Sequence, residues 1–135
     1  MKNYLLLLPL AFTPFIHAEP PDCEEHAGTT LDMNLCIAEQ VTAADEQLSR
    51  YLQAALQRHS DDPAVVDLLQ ESQNAWMNYR KTYCDAVYQQ WSGGSIRGIM
   101  TGNCVLQLTR QRTLQIWADF LTYMDSTPPV LPKPE

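Results

Sequence analysis

The sequence predicts an all-α protein, a small antiparallel bundle of about three helices stapled by two disulfides. Apolar residues recur at helical intervals along three separate stretches, no run alternates in the manner of a strand, and four cysteines stand in a chain that begins like an exported protein.

Lys2 is followed by an apolar run from Leu5 to Leu10, continued by Ala11, Phe12, Phe15 and Ile16, and then by the small residue Ala18. That is the layout of a secretory signal peptide, with cleavage expected after Ala18. The run is short for a bilayer and is interrupted by Pro9 and Pro14, so no stable membrane anchor is expected. Lipoprotein processing needs a small, apolar tripeptide before a cysteine, whereas Cys23 follows Pro20, Pro21 and Asp22. The expected organisation is a signal peptide over 1–18, a helical domain over 19–125 and a disordered proline-rich tail over 126–135. A periplasmic or secreted location follows from it.

Removing the first 18 of 135 residues takes away Lys2 and leaves sixteen acidic against eight basic residues, a formal charge of −8. Nucleic acid is excluded as a partner by that balance. The acidity keeps a small exported protein soluble, and it also steers the protein toward a basic partner.

Residues 19–29, rich in proline, acid and glycine, read as an extended leading segment tethered by Cys23. Thr29, followed at the third position by Asp32, marks a helix start with capping-box character. Leu31, Leu35, Ala38, Val41, Ala44, Leu48, Leu52 and Ala55 then line one face of a first helix ending near Arg58. Ser60-Asp61-Asp62-Pro63 supplies a turn, an N-cap carboxylate and a proline at the first helical position. The second helix runs to about Trp91, with an inward stripe of Val65, Leu69, Trp76, Tyr79, Tyr83 and Val87 broken by Ser72 and Gln73. Gly93 and Gly94 stop it. Gly98 and Gly102 weaken the start of a third helix, which is expected from about Asn103 with Leu108, Leu114, Trp117, Leu121 and Met124 facing inward. Short loops imply that consecutive helices pack antiparallel. Pro128, Pro129, Pro132 and Pro134 then leave few backbone donors for further structure.

Cys23, Cys36, Cys84 and Cys104 all lie after the cleavage point, and an even count in a small exported protein reads as two disulfides. No close cysteine pair of the zinc-binding kind is present, and His26 and His59 stand apart, so neither a metal nor a cofactor is expected. The favoured pairing is Cys23 with Cys36 and Cys84 with Cys104, because the first ties the leading segment to its own helix and the second closes the glycine loop. Cys36 with Cys84, at similar heights in the first hairpin, is the rival.

Four clusters in one order carry a family resemblance: Thr30-Leu31-Asp32-Met33-Asn34-Leu35-Cys36; Ala44-Asp45 with Leu48 and Tyr51; Gln73-Asn74-Ala75-Trp76-Met77-Asn78-Tyr79-Arg80 with Cys84; and Gly93-Gly94-Ser95 leading to Cys104, Leu108-Thr109 and Arg112. Together they resemble the lysozyme-inhibitor LprI N-terminal-domain family. The resemblance implies a helical, disulfide-linked envelope domain that inhibits lysozyme in at least one relative. Asp32 departs from it where the acid is often the longer Glu, as does the missing lipoprotein signal.

Among the matched residues, Trp76 is expected in the core. Arg80, one turn later, would stack on its ring while pairing with Asp45 across the first hairpin, or would face a partner. Asn34 and Gln73 would bridge helices once buried, and Arg112 lies near the height of Trp76. For partner binding the segment from Trp91 to Gly102 stands out, with Trp91, Ser95 and Arg97 as candidates, its entropy limited by a Cys84–Cys104 bridge.

Two functions fit. One is a proteinaceous inhibitor that binds a lysozyme, a basic enzyme whose cleft holds two catalytic carboxyl groups within reach of Ser95 or Arg97. The other is a binding or immunity module for a different periplasmic protein. No serine, histidine and acid set is evident and the disulfides consume every thiol, so no catalytic activity is expected.

Overall fold

The structure, a computed structural model, describes Cys23 and residues 28–135. The expected signal peptide, its cleavage point and most of the leading segment lie outside the described residues. Three helices follow in order: α1 (Thr30–Arg58), α2 (Pro63–Gln90) and α3 (Arg97–Ile116), the last continuing into one π-helical turn, Trp117–Leu121. Among the described residues there is no strand.

Local chemistry sets the helix ends. The Asp32 N–H donates to Thr29 Oγ1 at 3.2 Å, and the Thr29 hydroxyl donates to Asp32 Oδ2 at 2.7 Å, so the shorter acid still closes the cap. At the next start Asp62 accepts from the Val65 N–H at 3.3 Å, with Pro63 in the first turn, where a missing N–H costs nothing. Both disulfides join the favoured partners, Cys23 with Cys36 and Cys84 with Cys104, with Cα–Cα distances of 5.6 and 5.8 Å.

The third helix is the centre of the bundle. It lies against both α1 and α2, whereas α1 and α2, though joined by a short turn, hardly touch through their backbones. Gly98 stands beside Asn34 and Gly102 beside Ile37, so α1 and α3 run parallel. Cys104 meets Cys84 and Arg112 meets Gln73, so α2 and α3 run antiparallel. Small residues make the central place available. A methyl on Gly98 would collide with the Asn34 side chain and one on Gly102 with Ile37 Cγ2. Farther along, Thr109 and Thr113 are fully buried, each hydroxyl donating to the carbonyl four residues back (Val105, 2.8 Å; Thr109, 2.9 Å).

That arrangement departs from the expected stripes. The helix starts at Arg97, six residues before Asn103, because the glycines that weaken it in isolation permit its close approach to α1. Its buried face is Ile99, Leu106, Thr109, Thr113 and Ile116, while Leu114 is exposed and Met124 fully so. The π turn then spaces the next buried residue five positions on, at Leu121, shifting the frame by one. In α1, Leu31 and Leu35 are 66% and 57% exposed, and Ile37 and Tyr51 are buried instead. In α2 the buried face is Leu69, Gln73 and Cys84, rotated away from Tyr79 and Tyr83, which are both half exposed. The main core joins Leu48, Tyr51, Ala55, Leu69, Ile116 and Leu121. A smaller cluster of Cys23, Ile37 and Ile99 closes the opposite end.

The proline-rich tail, expected to be disordered, is held along the bundle. Thr127 N–H donates to Asp125 Oδ1 at 2.8 Å to start its turn, Val130 N–H donates to the Leu121 carbonyl at 2.9 Å, and Leu131 packs on the core. Four prolines leave it few donors, but its carbonyls and apolar side chains still find partners.

Candidate functional site

Residues Trp91 to Arg97 form a tight connection at the end of the bundle where α2 gives way to α3. The Trp91 N–H donates to the Val87 carbonyl at 3.2 Å, Gly94 N–H to the Trp91 carbonyl at 3.0 Å, and Arg97 N–H to the Gly94 carbonyl at 3.4 Å. Neither Gly93 nor Gly94 takes a left-handed conformation, and a methyl on Gly93 would meet open space. The Cys84–Cys104 bridge ties the two helices just behind this loop.

Its surface is apolar around one cation. Trp91 is 39% exposed, and Tyr88 and Ile96 are exposed to a similar degree. Arg97 lies over the Tyr88 ring at 5.2 Å, donates from Nη1 to the Ser92 carbonyl at 3.3 Å, and is exposed, as is Ser95. Tryptophan, tyrosine and arginine are the residue types that dominate interface energetics, and here a disulfide limits the ordering that a partner would demand. The sequence singled out Trp91, Ser95 and Arg97. The stacking of Arg97 on Tyr88 and the exposure of Ile96 come only with the fold.

The matched motif residues lie deeper. Arg80 pairs with Asp45 of α1, donates to Thr109 Oγ1 of α3 at 2.6 Å, and sits 4.9 Å from the Trp76 ring centroid. One guanidinium thus ties all three helices, filling the gap that α1 and α2 leave between their backbones. Arg112 donates from Nε to Gln73 Oε1 at 3.0 Å and from Nη2 to Ser72 Oγ at 2.9 Å. Its burial disfavours the charged form and lowers its pKa, an effect that the nearby Asp119 carboxylate opposes. Gln73 therefore bridges helices, whereas Asn34 donates to the Thr30 carbonyl of its own helix at 2.7 Å and abuts Gly98.

A shallow groove of about 580 Å³ runs between α2 and the end of α3, lined by Trp76, Tyr79, Leu108, Gln111, Arg112, Leu114, Gln115, Ala118 and Asp119. Helical periodicity turns Tyr79, Leu108 and Leu114 inward, so the sequence pattern does not show this groove. Among the described residues no group of histidine, cysteine and acidic side chains is placed to hold a metal ion.

The helices are thus clamped by sulfur and by Arg80 and Arg112, with an aromatic loop at one end. The family model of lysozyme inhibitor LprI matches residues 22–116, and the chain belongs to that family. It is also 30% identical over 107 residues to an uncharacterised protein of Rhizobium meliloti (strain 1021), covering 71% of this chain and 76% of that protein. No solved structure matches it.

Proposed function

We propose that this protein is exported through its first 18 residues and inhibits a lysozyme by inserting the Trp91–Arg97 loop into the enzyme's cleft. The observation that carries the reading is the loop itself: Tyr88, Trp91 and Ile96 exposed around Arg97, on a turn held by the Cys84–Cys104 bridge, in a member of an inhibitor family. C-type lysozymes are basic and cut peptidoglycan with two carboxyl groups in an open cleft. A mature charge of −8 attracts such an enzyme from a distance, and the Arg97 guanidinium then meets the cleft carboxylates while the aromatic rings exclude water around the pair. The inhibitor needs no chemistry of its own, since blocking access is sufficient.

The test is the rate of cell-wall lysis by a C-type lysozyme in the presence of the oxidised mature protein. The wild type lowers that rate, and Arg97→Ala weakens the effect roughly ten-fold with little change in melting temperature, as expected of an exposed contact residue. Undiminished lysis at large molar excess of inhibitor disposes of the reading.

A further inference from the structure

Beyond residue 116, where the family match ends, the chain folds back onto the bundle. Residues 128–134 run along α1 and the π turn, read by two aromatic side chains. The Tyr51 hydroxyl donates to the Pro132 carbonyl at 2.7 Å, and the Trp117 indole N–H donates to the Leu131 carbonyl at 2.9 Å. Between these contacts the Leu131 side chain packs on the core that includes Tyr51, Ile116 and Leu121, and Pro134 is buried. Prolines lack an N–H, so a proline-rich segment offers its carbonyls to whatever binds it. Tyrosine and tryptophan, each an apolar ring with one polar tip, suit such a segment, which here bends at Val130 and Leu131 and whose prolines restrict it before it docks.

We propose that Tyr51, Trp117 and the apolar wall between them form a binding site for a proline-rich polypeptide, with the chain's own residues 128–134 as its resident ligand. Specificity lies in a leucine-sized side chain followed by proline, since Leu131 fills the wall while the carbonyls of Leu131 and Pro132 take the two hydrogen bonds. This site is separate from the Trp91–Arg97 loop, so lysozyme inhibition and peptide binding stand or fall independently.

The probe is a labelled synthetic peptide with the sequence of residues 126–135, titrated by fluorescence anisotropy against the full chain carrying Leu131→Asp. That substitution releases the resident segment and leaves Tyr51, Trp117 and Leu121 in place. Saturable binding is expected, at least ten-fold weaker on the wild type, whose site is filled. Adding Trp117→Phe should weaken it about five-fold, the loss of one net hydrogen bond. Replacing the peptide's prolines by alanine should abolish it. Should Leu131→Asp fail to fold, a protease site inserted between Ser126 and Thr127 allows the segment to be cut after the full chain has folded; excess labelled peptide should then exchange with it. Absence of saturable binding to a folded Leu131→Asp chain, or of exchange in the cut chain, overturns the proposal, as does equal binding of the proline-free peptide.

Discussion

The two sides of α3 are held by different forces. Toward α1 the contact is close packing: Gly98 and Gly102 admit the neighbouring helix, and Ala44, Leu48, Tyr51 and Ala55 bury apolar surface alongside Ile116 and Leu121. Toward α2 the buried apolar surface is thin, and the helix is attached by a disulfide and by two arginines, Arg80 and Arg112, reaching hydroxyl and amide partners, while Arg80 also pairs with Asp45 of α1. Burial of a large aliphatic side chain stabilises by roughly 1.5–3 kcal/mol and is insensitive to redox state, whereas covalent and polar ties are lost one at a time. The α1–α3 pair is therefore the durable half, and α2, which leads into the candidate loop, is the half whose position depends on oxidation.

Substitutions can break this contrast at graded cost. Replacing Cys84 and Cys104 by serine should remove about 3 kcal/mol, as expected for closing a loop of about 20 residues, seen as a lower midpoint in urea. Hydrogen exchange in that variant should rise along α2 before α1. Arg80→Ala should cost about 2 kcal/mol, because it unties three helices at once; the charge-assisted bonds are discounted since Asp45 remains 43% exposed. Arg80→Lys should recover only part of this, because an ammonium lacks the planar fork that serves Asp45, Thr109 and Trp76 together.

On the packed side the sharpest probe is a pair of identical changes. Gly102→Ala sets a methyl against Ile37, whose β-branched side chain has little rotamer freedom in a helix, and should destabilise by about 1–2 kcal/mol after the gain in helix propensity. Gly98→Ala meets the end of an Asn34 side chain that can turn aside, and calorimetry should find it near neutral. Equal costs at the two positions would contradict the packing assigned to Ile37.

The smallest effect belongs to Tyr51. Burial raises its pKa above the ordinary 10.0, outweighing the opposing charge of Arg50. A raised folded value means that this stability is whole below the unfolded pKa and is lost as pH rises through the folded one. Melting temperature should accordingly fall above about pH 10, and Tyr51→Phe should remove that part of the fall while costing about 1 kcal/mol at neutral pH through the lost bond to Pro132.

Much of this structure was legible in the sequence where local chemistry decides. Thr29, Asp62 and Pro63 mark helix starts by hydrogen bonds within one turn, and the cysteine pairing follows from which segments need tying. Helix faces were less legible. Thr109, Thr113 and Gln73 are polar in type yet buried, because each finds a hydrogen-bond partner inside, and a π turn displaces the last buried residue by one position. The glycines of α3 weaken an isolated helix but favour this packed one. Ordering of residues 126–135 was hidden for a related reason: the donors that hold them come from Tyr51 and Trp117, distant in sequence from the prolines. At the candidate loop the turn and its flanking cysteines were evident, whereas the stacking of Arg97 on Tyr88 and the exposure of Ile96 required the fold.

The proposed inhibition requires the Trp91–Arg97 loop to meet an enzyme's cleft. Hydrogen–deuterium exchange of the oxidised protein, with and without saturating C-type lysozyme, tests this most directly. Slower exchange concentrated in residues 91–97 is predicted; an unchanged pattern, or protection confined to the far end of the bundle, would contradict it.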